Sequence, residues 1–466
     1  MKHRIKIRVM FTCPVLKAGI TEGFTPVNVW GWARSDKQVS EEIERVKKDL
    51  SEIEREFNGE IGFVGWDMLH AEDDVLEKSY EIQTGDIDGV IVFGIAQFWG
   101  YLGSFYTFNK PIIFFGREYT KPPYGFNLLT EHIKWILKSI GKQGWACTVI
   151  DSYEKLKKEI RAVRAFAKLK KAKVICIGKP NEWKGAEKWG NYRTIRIMQE
   201  RTGINVRFIS LDEIVREYEE MEETENIRED YQKFLQNAKS QYDLDEDSAR
   251  NAVKFYYLVR RIVKDMEADA VTINCYATDL IDRIGTTPCY AIARLNDEGI
   301  IAACEADFSA LFNMMMVSYL TDKPCFMGDA VYNVERCSVI NAHCSCPTKL
   351  SGYKNRGEPY IATSHYESGK GLTPQVIMKK GQEITITLLP TNMESMVIAK
   401  GVITNVNMCY PMCRTQVEFK VENFNKFLEA CEDNINFFEH MVNVYGDHRE
   451  EVARLCRLLG LNPIII

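Results

Sequence analysis

The stretch Lys168-Leu169-Lys170-Lys171-Ala172-Lys173-Val174-Ile175-Cys176-Ile177-Gly178 decides the fold. A lysine-rich amphipathic run, Tyr153–Lys171, passes within two residues into a short apolar run that ends on glycine. That is a helix delivering the chain to a buried strand, and the same alternation appears on both sides of it. Upstream, Arg4–Phe11, Ile61–Trp66, Gly89–Phe93 and Pro111–Phe115 read as strands, with helices over Ser40–Phe57 and from Asp73. Downstream, strands over Lys173–Gly178, Asn205–Ser210, Ala270–Asn274 and Gly299–Cys304 alternate with helices around Tyr192–Thr202, Leu211–Glu223 and Ser248–Met266. The charged segment Glu222–Asp245 is expected to be helical as well. Short apolar strands separated by amphipathic helices predict parallel sheets covered on both faces.

Beyond about residue 330 the pattern changes. Gln382–Leu389, Met396–Asn405 and Arg414–Val421 are β-like runs separated by Gly, Pro and Asn. They predict a small antiparallel barrel or sandwich, closed by helices around Asn423–Glu432 and His448–Leu459. The expected class is therefore α/β, with two doubly wound domains (1–170 and 171–330) and a β-rich C-terminal domain (331–466). A chain of 466 residues is long enough for several cores.

Composition narrows the function. A net charge of −5 gives no support for a nucleic-acid or membrane-surface role. No apolar run approaches the roughly 20 residues that span a bilayer, and Met1–Met10 reads as a first strand rather than a signal peptide, so a cytoplasmic location is expected. Fourteen cysteines are few for this length, and Cys147, Cys176 and Cys275 sit in apolar runs, which predicts reduced, buried thiols. The glycines of Gly94–Gly103 lack the Gly-x-Gly-x-x-Gly order, and no Gly-x-x-x-x-Gly-Lys-Ser/Thr loop occurs, so neither a dinucleotide nor a P-loop nucleotide is expected.

Acids and histidines at the ends of apolar runs are the candidate chemistry. Glu305 follows Gly299–Cys304, ahead of the helical pattern Asp307–Leu320. Asp329 follows Pro324–Met327, and His343 ends Ser338–Ala342. His440 lies in the apolar setting Phe437-Phe438-Glu439-His440-Met441-Val442. An isolated carboxylate is ordinarily a solvated surface group or a helix cap, and a lone histidine ordinarily bonds one backbone carbonyl. Directly after an apolar run, however, burial of a charge is costly unless something pairs with it. His365, in His365-Tyr366-Glu367-Ser368-Gly369-Lys370-Gly371, is either a binder of anions or hydroxyls or part of a polar turn. The spacing in Cys344-Ser345-Cys346-Pro347, one residue rather than two and with no partner pair, is a weak zinc signal.

Four motifs in order, Ala342-His343-Cys344-Ser345-Cys346-Pro347, His365–Gly371, Cys413-Arg414-Thr415-Gln416 and His440–His448, resemble the L-fucose/L-arabinose isomerase superfamily, in its L-fucose isomerase-like branch. The resemblance is specific from about Asn274 onward. It implies a divalent-metal-dependent enzyme, with Mn²⁺ the expected ion, that interconverts an aldose and a ketose through an ene-diolate. By the same resemblance Glu305 and Asp329 match the catalytic, metal-binding acids, and His440 matches the metal-binding histidine near the C-terminus. His343 stands where the arabinose branch uses a further metal-binding histidine and the fucose branch uses none. A hexamer or similar homo-oligomer is likewise implied. Many members carry a doubled histidine where this chain has Glu439-His440. An isomerase for an acidic or sulfonated hexose such as sulfoquinovose is the alternative on this scaffold, with His365, Lys370 and Arg414 as candidates for gripping the anion. A non-catalytic sugar-binding regulator is a further alternative, because paired α/β domains also build binding proteins. A nucleotide-dependent sugar enzyme is disfavoured by the missing phosphate loops.

Overall fold

The structure, a computed structural model, describes residues 4–12, 36–94, 104–105, 107–115, 147–180, 191–276, 278–434 and 440–466. Most of the glycine stretch Gly94–Gly103, and Phe437, Phe438 and Glu439 beside the candidate histidine, lie outside them. The chain divides into two compact units, 1–167 and 168–466.

The first unit is a five-stranded, wholly parallel sheet. Its strands are β1 (Ile5–Thr12), β2 (Ile61–Leu69), β3 (Gly89–Gly94), β4 (Ile112–Phe115) and β5 (Cys147–Ile150), in the order β2-β1-β3-β4-β5. Alternation along β1 explains its two-sided cover. Ile5, Ile7, Val9 and Phe11 join one apolar cluster, while Met10 joins Val90, Val92 and Phe114 in another. Arg8 interrupts this pattern. It is 7% exposed and donates twice to Asp67 of β2, at 2.7 and 3.0 Å, and once to Glu81 at 2.8 Å. Burial opposes the Asp67 carboxylate, but the Arg8 hydrogen bond and charge outweigh it and hold the group below its ordinary value.

The second unit begins by repeating the scheme. β6 (Lys173–Ile177), β7 (Asn205–Ile209), β8 (Ala270–Ile273) and β9 (Ile301–Cys304) form a parallel sheet ordered β7-β6-β8-β9. The charged segment after Glu222 is helical over Glu225–Asn237.

The β-rich part follows in the same compact unit. β10 (Phe326–Asn333), β11 (Ser338–His343), β14 (Glu383–Leu388), β15 (Ser395–Val406), β16 (Thr415–Val421) and β17 (Met441–Tyr445) pair in the order β14-β17-β10-β11-β16-β15. An antiparallel β14–β15 pairing closes the ring, making a six-stranded barrel. β18 (Asn462–Ile465) adds to β15 in parallel. A separate hairpin, β12 (Tyr360–Thr363) and β13 (Thr373–Val376), carries the His365–Gly371 loop between its strands.

The helix Phe308–Thr321 follows directly from β9, and nearly all its side chains are buried. A helix apolar all round must be covered all round. Asn313 secures it to the barrel, donating to Thr387 O at 3.1 Å and accepting from Thr387 Oγ1 at 2.7 Å. Among the described residues, no helix is long and apolar enough to cross a membrane.

Candidate metal centre

Antiparallel register assembles most of the site at one rim of the barrel. Asp329 on β10 pairs across to Ala342 on β11, and Gly328 pairs with Met441 on β17. Asp329 is thereby flanked by His343 and His440, the neighbours of those two partners. The close approach requires glycine at 328, since a Cβ there would meet Asn341 Oδ1 at 2.8 Å and Ala342 O at 2.9 Å. The parallel sheet supplies the fourth member. Glu305 and Ala306 leave the end of β9 with φ of 62° and 51°, two consecutive left-handed residues without glycine. That turn aims the Glu305 carboxylate at the barrel rim.

The geometry is compact. Glu305 Oε1 lies 3.5 Å from His343 Nε2 and 3.9 Å from His440 Nε2. Asp329 Oδ1 lies 3.6 Å from His440 Nε2, and the two imidazole centroids are 5.5 Å apart. The ligand atoms of Asp329, His343 and His440 fall within 4.8 Å of one another. The Asp329 side chain is 65% exposed, whereas those of Glu305, His343 and His440 are 15%, 4% and 1% exposed. The cluster is therefore buried on three sides and open on the Asp329 side.

Both imidazoles are oriented from behind. His440 Nδ1 donates to Asp307 Oδ2 at 2.7 Å, and His343 Nδ1 pairs with Ser345 Oγ at 2.8 Å. Each ring thus turns Nε2 toward the carboxylates, the arrangement in which a second residue fixes a ligand's tautomer and direction. Asp307 has a further duty as the N-cap of the helix Phe308–Thr321, accepting from Ala310 N at 3.1 Å.

The electrostatics favour positive charge here. Burial lowers the His440 value, but the Asp307 hydrogen bond and the charges of Glu305, Asp307 and Asp329 raise it further, to about 10. Burial also works against the Glu305 and Asp307 carboxylates, and the histidines nonetheless hold both below the ordinary range. His440 Nε2 is buried with no hydrogen-bond partner. A buried, pre-oriented nitrogen without a partner, facing two carboxylates, fits a metal ion.

Of the other candidates, His365 lies near the cluster, and burial and the charge of His343 lower its value while Glu305 and Glu367 raise it. Arg414 is committed elsewhere. Its guanidinium bonds Asp243 and donates to Ser364 O at 2.9 Å, between the rings of Tyr242 and Tyr366. Lys370 Nζ pairs with Asp282 at 2.7 Å, and no contact among the described residues links it to the four. Each cation is thus ion-paired with an exposed carboxylate. Sequence reasoning missed Asp307 and Ser345. Asp307 carries the signal of a helix start, but nothing in sequence says that its second oxygen faces a histidine 133 residues later.

No protein-family model matches the chain. It is similar to two proteins named sulfoquinovose isomerase. The one from Alkalicoccus urumqiensis is 22% identical over 226 residues, 47% of this chain and 49% of the relative. The one from Clostridium sp. (strain MSTE9) is 25% identical over 214 residues, 45% of this chain and 46% of the relative. The chain spans about half the length of the curated relatives it matches.

Proposed function

We propose that this protein is a metal-dependent sugar isomerase that interconverts an aldose and a ketose, with its metal held by Glu305, Asp329 and His440, joined by His343. The observation that carries the reading is the orphaned Nε2 of His440, aimed between two carboxylates at 3.6 and 3.9 Å. Two carboxylates with imidazole suit a hard-to-borderline divalent ion, and Mn²⁺ is the ion proposed. Such an ion, when bound, supplies Lewis-acid polarisation of adjacent sugar oxygens and stabilises the negative charge of an ene-diolate.

The chain's own groups do the proton work. Asp329 stands at the open side, where a sugar enters, and Glu305 is held from behind by His343. One carboxylate accepts the proton from C2 and returns it at C1, while the other carries a hydroxyl proton between O2 and O1. Asp307 and Ser345 keep both imidazoles in position through the cycle. Assembly as a homo-oligomer belongs to the same proposal and is checked by light scattering.

The names of the two relatives favour one second reading, a sulfonated hexose as substrate. Because Arg414 and Lys370 are ion-paired, that reading needs either their release or other groups for the sulfonate. The test uses metal-stripped protein, Mn²⁺ added back, and a panel of aldoses, deoxy-aldoses and a 6-sulfo-hexose, with ketose formation as readout. Turnover that appears with Mn²⁺ and falls at least about 10²-fold in Glu305→Gln and Asp329→Asn supports the proposal. Wild-type-like turnover in either variant sinks the site. A folded protein that binds sugar without binding Mn²⁺ points to the non-catalytic regulator instead.

A further inference from the structure

We propose a second metal site in the same unit, a thiolate site for a soft d¹⁰ cation such as Zn²⁺, formed by Cys344, His365 and Cys413. Three separate segments meet there. Cys344 follows β11, His365 opens the loop between β12 and β13, and Cys413 precedes β16. Their two sulfurs and the imidazole nitrogen all lie within 4.8 Å of one another. Zn–S bonds of about 2.3 Å and a Zn–N bond of about 2.0 Å in a tetrahedral site place sulfurs about 3.8 Å apart and sulfur and nitrogen about 3.5 Å apart, so closure needs a contraction of at most about 1.3 Å.

The surroundings are those of metal-ligating thiolates. The Arg414 backbone N–H donates to Cys344 Sγ at 3.4 Å, and the Tyr366 backbone N–H also serves that sulfur. His365 Nδ1 lies 3.0 Å from Ser368 Oγ. With Nδ1–H donating to that oxygen, Nε2 keeps its lone pair for a metal. The longer approach of Ser368 N–H to Nδ1, at 3.3 Å, is then given up. His365 and Cys413 are only partly buried, which leaves an ion a way in. Cys346 is not part of the site. It is fully buried in the barrel's apolar cluster, with its thiol toward Pro347 O at 3.4 Å.

This site is distinct from the carboxylate cluster. The two groups share no residue, His343 ending β11 and Cys344 opening the bend that follows it. One position offers oxygen and imidazole ligands and the other offers sulfur, and ligand softness sorts ions between them. Occupancy would tie the β12–β13 hairpin to the barrel rim, and binding releases the thiol protons. The proposal stands whether or not the protein isomerises sugars.

The experiment uses the full chain, reduced and stripped of metal, titrated with Co²⁺ alone and then with Zn²⁺. The expected result is sulfur-to-cobalt charge-transfer absorption that saturates at one equivalent and is displaced by Zn²⁺. Cys413→Ser should abolish the band or weaken Zn²⁺ binding at least tenfold, and Glu305→Gln should leave it intact. His365→Ala, which keeps both sulfurs, should retain the band with weaker affinity, so the idea survives a misfolded cysteine variant. Absence of the band in folded, reduced wild type overturns the proposal. So does a band unchanged in both Cys344→Ser and Cys413→Ser, which assigns it to other thiols such as Cys304, or one lost in Glu305→Gln, which makes the two sites one.

Discussion

Asp307 shows how much one residue can be asked to do. One carboxylate oxygen caps the helix Phe308–Thr321 and the other holds His440 Nδ1 at 2.7 Å. Asp307→Asn keeps a cap oxygen but removes the charge that fixes the imidazole. Residues that orient a ligand in this way are worth 10–100-fold in metal affinity. The expected outcome is a loss of that size in Mn²⁺ affinity by calorimetry, with a stability cost of about 3 kcal/mol in the metal-free protein, because one charge of a buried pair is removed. His343→Ala separates two roles. Unchanged Mn²⁺ stoichiometry would make His343 a partner of Glu305 alone, and a lost equivalent would make it a ligand. The four cluster residues were legible in sequence because each follows or sits in an apolar run. Asp307, Ser345 and Cys413 were not, because the partners that give them meaning are distant in sequence.

At the scale of elements, Arg8, Asp67 and Glu81 form a charged pairing inside an apolar sheet. The folded Asp67 value lies below the ordinary one. The stabilisation is therefore present above the unfolded pKa near 4 and is lost as pH falls through the folded value. Asp67→Asn should cost about 2 kcal/mol at neutral pH. The gap in Tm between wild type and variant should close as pH drops below about 4, and a gap that persists in acid would place its cause in packing. Gly328→Ala is the counterpart in the barrel. Its methyl would press on Asn341 Oδ1 and Ala342 O, and overpacking of this kind costs about 1–3 kcal/mol. Because the displaced segment carries Asp329, chemical denaturation and Mn²⁺ titration should both register the change. Long periodic elements such as Tyr153–Lys171 and Leu211–Glu220 could be read from sequence to within a few residues. β10, the β12–β13 hairpin, β17 and β18 were missed as strands. They are short or carry polar residues, and only cross-strand pairing defines them.

Across the whole molecule, the cluster joins the end of a parallel sheet to three strands of a closed barrel, all in the second unit. Mn²⁺ at a hundredfold excess over Kd should stabilise that unit by about 2.7 kcal/mol. Amide exchange should slow in β9, β10, β11 and β17, and β1 to β5 should exchange as before. Equal protection of both units would mean that the ion acts elsewhere. The separation of the site residues along the chain also sets a timetable. Asp307 and His440 are 133 residues apart, which at ribosomal rates of about 5–20 residues per second is roughly 7–27 s. By the end of that interval both acids have been made and His440 has not, and the barrel still lacks β17, the strand that lies between β14 and β10. A nascent chain stalled between β16 and β17 is therefore a product with an open seam and an acid–histidine cluster short of His440, its β10 and β14 edges left unpaired.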